Sequence, residues 1–157
     1  MITVQVMNVK SFMQLLLLSS SFDDWKFHGM TIQALTDYEI SGVLNPRYLS
    51  DSEKEKRNGE EFVRYGEVRP LAASIVKSGR TPTLIKMVLA CPDELLGGRE
   101  SVAASSYLIT LQFQDGVLRL TGGVALETFT LDRSDAVFWD ERLPQILKNL
   151  NVEFKES

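Results

Sequence analysis

The side chains best suited to nucleophilic or acid–base work at neutral pH each occur once: His28 and Cys91. A histidine acting as a general base needs a carboxylate to orient it, a role open to Asp23, Asp24 or Asp37. His28 lies in a strand-like stretch beside Gly29, where a partly exposed strand residue is the plainer expectation. A nucleophilic cysteine needs a stabilised thiolate. Cys91 closes an apolar run just before Pro92, so burial should raise its pKa and leave it an inert core side chain.

Asp132, Asp135, Asp140 and Glu141 cluster near one helix start and carry the oxygen donors that hard cations accept. Acidic residues at a helix start also cap it and complement its dipole, and that reading is preferred. Ser78-Gly79-Arg80-Thr81 offers N–H groups and a guanidinium to an anion. It follows a helix C-terminus, however, whose dipole repels anions, so a helix-ending turn is expected. Arg69, Lys77, Arg80 and Lys86 would form a basic patch if a helix from Pro70 packs on the strand beginning at Thr83. The alternative is a solvated face with local pairs such as Glu67 with Arg69 or Arg64. Trp139 precedes Asp140 on a polar helix and serves either as an exposed partner-binding residue or as core. There is no glycine-rich phosphate loop and no metal-ligand spacing, so no catalytic residue, metal or cofactor is assigned.

These residues belong to a chain of 157 residues, enough for one domain with a core that needs no disulfide or metal. Hydrophobic residues make up 44% and charged residues 24%, the balance of an ordinary globular protein. A formal charge of −4 disfavours a generic nucleic-acid or membrane-surface binder. A single cysteine excludes an internal disulfide and fits a reducing, cytoplasmic setting. Lys10, the apolar run Phe12–Leu18 and Ser19–Ser21 mimic a short secretory signal. The strand pattern ahead of Lys10 points to a buried helix instead, and the run is too short to cross a bilayer.

A strand–helix–antiparallel-strand pattern occurs twice, first over Ile2–Leu44 and again from Pro70–Lys77 to about Asp132. Ile2, Val4 and Val6 alternate as a strand, and Asn8 caps a helix whose face is Val9, Phe12, Met13, Leu16 and Leu17, widened by Leu15 and Leu18. From Trp25 to Leu35 the apolar parity switches at Gly29, which predicts a bulge that keeps Trp25, Phe27, Met30, Ile32 and Ala34 on one face. Tyr38, Ile40 and Leu44 mark a return strand, and Ser50–Glu61 is a solvated charged segment. Phe62–Val68 reads as one helix leading into a second that starts at Pro70, has the stripe Leu71, Ala72, Ile75 and Val76, and ends on a left-handed Gly79.

Thr83–Cys91 is apolar on both faces and belongs in the middle of a sheet. Pro92–Ser101 is a loop with room for one helical turn. Tyr107–Gln114 and Val117–Thr121 form a hairpin about Asp115-Gly116, with Gly122-Gly123 as a second turn into a strand Val124–Leu131. Asp132 or Ser134 caps a last helix with Val137, Ile146, Leu147 and Leu150 on its apolar side, and Pro144 should break or kink it. Val152 and Phe154 mark a terminal strand or docked tail.

Several stretches together carry a family resemblance: Val9–Leu17, Arg69-Pro70, the run Ile75–Pro82, Thr121-Gly122-Gly123, Phe129–Asp132 and Trp139-Asp140. In that order they resemble a domain-of-unknown-function family of bacterial proteins from anaerobic Gram-positive species. The resemblance spans nearly the whole chain, which implies one domain and transfers no activity. The element order is also similar to one domain of a DNA sliding clamp, in topology alone. That role needs basic residues on the DNA-facing helices. The first helix offers only Lys10, and the second offers Arg64, Arg69 and Lys77 among Glu60, Glu61 and Glu67.

The expected architecture is a single α+β domain, a mainly antiparallel twisted sheet of about seven strands with three or four helices packed on it. The expected function is a non-catalytic binding or assembly module working through a sheet edge or helix face, with self-association as its simplest form. The alternatives are a small carboxylate enzyme using a divalent cation and a clamp-like nucleic-acid accessory protein.

Overall fold

The computed structural model describes residues 1–157. Its elements in chain order are β1 (Thr3–Val6), α1 (Val9–Leu18), β2 (Lys26–Gln33), β3 (Asp37–Ser41), α2 (Asp51–Arg57), α3 (Tyr65–Lys77), β4 (Leu84–Ala90), β5 (Ala104–Gln114), β6 (Val117–Leu126), α4 (Ser134–Asn149) and β7 (Phe154–Glu156). The seven strands form one sheet in the order β3-β2-β4-β5-β6-β1-β7, and every adjacent pair is antiparallel. No helix is long and apolar enough to cross a membrane.

Strand alternation assigns the two faces of the sheet. Val4 and Val6, Phe27, Met30 and Ile32, Ile85, Met87 and Leu89, Tyr107, Ile109, Leu111 and Phe113, and Leu118 and Leu120 point to one side and are buried. With Phe12, Leu16 and Leu17 of α1, Tyr65, Ala72 and Ala73 of α3, and Trp139, Leu143, Ile146 and Leu147 of α4, they form one contiguous core. The other face carries no helix-packed core. Register places Glu39, Thr31, Lys86, Gln112, Arg119, Gln5 and Lys155 side by side across all seven strands of that open face.

Local signals account for much of this. Asn8 Oδ1 accepts the Ser11 N–H at 3.0 Å and starts α1. The register of β2 on β4 shifts between Phe27 and Gly29, the bulge required by the parity switch. Asp115 and Gly116 take φ of 54° and 76°, the two positive angles of a tight hairpin. A 3-10 turn occupies Asp93–Leu95. The solvated segment holds α2, capped reciprocally by Ser50 and Glu53 and burying nothing.

Other expectations are corrected. Gly122 and Gly123 are not a turn: β6 runs straight through them, paired with Ile109 and Leu108. A Cβ on Gly122 would lie 3.2 Å from Trp139 and Leu143, so the glycine lets α4 lie against the strand backbone. Pro70 and Pro144 both sit inside unbroken helices. Each removes one backbone donor, and burial of α3 and α4 side chains on both sides of the proline holds the helix together. Tyr65, rather than a separate preceding helix, opens α3; its hydroxyl donates to Leu16 O at 3.0 Å and fastens α3 to α1. Helix α3 ends at Ser78 (φ −72°, ψ 0°), whose N–H and Oγ both donate to Ile75 O, so Gly79 is outside the left-handed region. Leu18, Leu71 and Val137 are exposed instead of packed, because the helices rotate Leu17, Ala72 and Trp139 inward.

One close approach was not visible in the sequence. Beyond Ser41 the chain leaves β2 and admits Phe62–Arg64 between the two strands: Val63 N–H donates to Gly42 O at 2.8 Å, and Phe27 N–H donates to Val63 O at 2.8 Å. Gly42 is buried there, and a Cβ on it would fall 1.7 Å from Phe27 O. Gly42→Ala should therefore force the backbone apart and cost about 1–3 kcal/mol or more, read from the urea midpoint. Gly79→Ala, with nothing within 4 Å of the added Cβ, should leave stability unchanged or slightly higher.

Candidate functional site

Helix α4 has three working faces. Trp139, Leu143, Ile146 and Leu147 face the sheet and are buried. Trp139 is 1% exposed, and its Nε1 donates to Leu108 O at 2.8 Å. The indole is thus core, and the exposed-anchor alternative does not apply. Asp135, Phe138 and Arg142 recur at i, i+3 and i+7, one helical stripe, and hold the loop ahead of β5.

Asp135 is the buried charge of the molecule, 4% exposed. Its carboxylate accepts the N–H groups of Val102, Ala103 and Ala104 at 2.9–3.2 Å, Arg99 Nη2 at 3.0 Å and the Tyr107 hydroxyl at 3.2 Å. Burial pushes its pKa up, but the Ala103, Val102 and Ala104 amides with the Arg99 guanidinium outweigh that and hold it well below the usual carboxylate range. The Arg99 guanidinium lies 4.7 Å from the Phe138 ring centroid, and its Nε is buried without a partner. Arg142 Nε donates to Leu95 O at 2.8 Å.

The third face, with Ala136 and Asp140, opens on a cleft of about 230 Å³ between α4 and β6. Gly122–Val124, Leu126, Trp139, Thr130 and Met1 complete its mainly apolar wall, and Asp132 and Arg133 stand at its mouth. Asp132 Oδ1 accepts the Ser134 N–H at 2.8 Å from just ahead of α4, but the N-cap position belongs to Arg133, which makes no side-chain cap, so neither Asp132 nor Ser134 is the cap expected. Asp140 accepts the Ile2 N–H at 2.9 Å and the Met1 amine at 3.2 Å. Three of the four clustered carboxylates thus meet around this cleft, each already holding a protein donor, and no group of three or more His, Cys, Asp or Glu side chains has metal-binding geometry. Glu141 is exposed on the outer side of the helix.

Around the cleft, apolar side chains stand in water. Phe129 is 89% and Leu131 85% exposed on the loop from β6 to α4, on either side of the cleft-lining Thr130; Leu126 and Met1 of the cleft lining are exposed too, as are Val102 ahead of β5 and Val137 of α4. These are six of the twelve large hydrophobic side chains the fold leaves exposed. The sequence pattern read Phe129 and Leu131 as the end of a strand; their alternation with Thr130 and Asp132 was the only signal available.

The remaining candidates lie elsewhere. Arg69 makes a two-pronged bond to Asp23, at 2.8 and 3.2 Å. Lys77 and Arg80 are exposed at the end of α3 and just past it. Lys86 projects from the open face of the sheet, away from Arg69, in one cross-strand row with Arg119 and Lys155 but separated from them by Gln112 and Gln5. None of these three cations has an ion-pair partner within the chain. Glu67 pairs with Arg57, not with Arg69. His28 stacks on Phe62 at 3.9 Å and 11°. Burial lowers its pKa, opposed by Glu61 and aided by Lys26. Of the carboxylates proposed to orient it, Asp23 is taken by Arg69. Cys91 is buried, and burial pushes its thiol up to about 12.

This is a single-sheet α+β protein with a clamped helix and a mainly apolar cleft between α4 and β6. The chain belongs to DUF5721, a family of unknown function, whose family model matches residues 15–155. No curated protein and no solved structure matches it.

Replacing Asp135 by Ala strands the loop amides and Arg99, and should cost about 3–5 kcal/mol in denaturant unfolding. The folded pKa of Asp135 lies below the ~3.9 of a free aspartate, so its contribution is complete above that pH and fades as the pH falls further. Acid titration of stability should show this loss below about pH 4 in the parent protein, and Asp135→Asn should flatten it. Cys91 should resist an aromatic disulfide reagent in the native state and react at once in denaturant; rapid native labelling would contradict its burial.

Proposed function

We propose that this protein is a non-catalytic binding or assembly module that engages another protein through the α4–β6 cleft and its rim. The observation that carries this reading is the exposure of Phe129 and Leu131 beside a mainly apolar cleft. Soluble proteins rarely leave contiguous apolar surface wet unless it meets a partner. Its surroundings are already ordered: Glu127 N–H donates to Ala103 O at 2.8 Å, and Asp135 fixes Val102–Ala104. Such pre-organisation lowers the entropy lost on binding.

Carboxylate chemistry with a divalent cation has less support, since Asp132, Asp135 and Asp140 each serve an internal donor. A nucleic-acid accessory role leans on the row of Lys86, Arg119 and Lys155. That row offers charge and no aromatic side chain for base stacking.

The test is in-cell crosslinking with the full tagged chain, comparing the parent with a Phe129→Ser, Leu131→Ser double variant. A specific protein should be captured by the parent and lost from the folded double variant, since an aromatic hot spot contributes about 2 kcal/mol or more. Equal capture by both proteins would sink the proposal.

A further inference from the structure

We infer that the cleft receives a second copy of this chain, with the Phe129–Leu131 loop of each protomer seated on the α4–β6 cleft of the other across a two-fold axis. This rests on reading the cleft as a protein interface and names its occupant. A two-fold contact requires one surface to carry both a protrusion and a recess that accepts it. Here the protrusion, Phe129 and Leu131, is continuous in sequence with Thr130, Asp132 and Arg133, which line the recess.

Charge narrows the choice of partner. Arg133, at the cleft mouth, is exposed and has no ion-pair partner in its own chain. Glu127, next in sequence to Leu126 of the cleft wall, is exposed and also without an ion-pair partner. A rim carrying both signs matches a copy of itself, where Arg133 of one protomer meets Glu127 of the other. The same carboxylate opposes an anionic membrane surface. A small apolar ligand would fill the cleft and leave Phe129 and Leu131 in water, so it does not account for them.

Sedimentation equilibrium over roughly 1–100 µM, the range of a weak to moderate dimer, tests this. The full chain should sediment as a dimer of twice the chain mass. Phe129→Asp should weaken dimerisation at least tenfold. Leu35→Asp, at a fully exposed apolar residue in the β2–β3 turn, should leave it unchanged. Arg133→Glu should weaken the dimer, and adding Glu127→Lys to it should recover most of the loss. Thermal unfolding confirms that each variant is folded. A dimer indifferent to Phe129→Asp overturns the inference. So does a parent protein that stays monomeric throughout; if that monomer still captures another protein in a Phe129-dependent way, the interface reading stands and only self-association falls.

Discussion

Withdrawing an ionised carboxylate from water costs several kcal/mol, and the α4 end of this protein is arranged around offsetting that cost at Asp135. Three successive amides of one loop, an arginine and a tyrosine of β5 converge on two oxygens. The loop therefore cannot shift without uncovering a charge. One turn along, Trp139 reaches the backbone oxygen of Leu108, also on β5. Together the two side chains set both the rotation and the height of α4 on the sheet. The cleft follows from this placement. Because α4 sits close over Gly122 on its Trp139 side, the surface beside Ala136 and Asp140 is left uncovered.

The sheet itself is one-sided. Antiparallel sheets tolerate water on one face when polar side chains alternate with buried ones, as where buried Ile85 and Met87 flank Lys86 and Leu118 and Leu120 flank Arg119, while Leu84, Val88 and Leu108 leave that face partly apolar. The aromatic packing of Phe12, Phe22, Trp25, Tyr107 and Trp139 lies on the helix side. The five ion pairs likewise involve the helices, their flanking loops and the N-terminus, not the open face. Stability and surface chemistry are thus assigned to opposite sides of one layer.

What was legible in the sequence was local. A two-residue Asp-Gly turn, a parity switch at Gly29 and an Asn cap each contain their whole cause within a few residues, and each appears as expected. The Gly122-Gly123 pair did not, because a turn and a close helix approach use the same residues; Trp139 decides between them, and it is distant in sequence. Pro70 and Pro144 follow the same logic, since local rules stop a helix and tertiary burial carries it on. Trp139 itself stood open between core and surface until the rotation of α4 was known. For Asp135 the partners are backbone amides, which have no sequence signature, though the Asp135–Phe138–Arg142 stripe was there to be read. Phe129 and Leu131 look apolar in any listing of residues, and only the fold reveals that nothing covers them.

The parting of β2 and β3 around Phe62–Arg64 has an effect on how this chain can vary. Leu44 N–H donates to Glu61 O at 2.9 Å, so the whole excursion through α2 departs from and rejoins the fold at neighbouring points. Lengthening such a closed detour adds only about 0.6 kcal/mol of closure entropy per doubling. The segment between Asn45 and Glu60 is therefore a place where this chain can gain or lose residues, or host an inserted module, while the aromatic core beneath stays undisturbed.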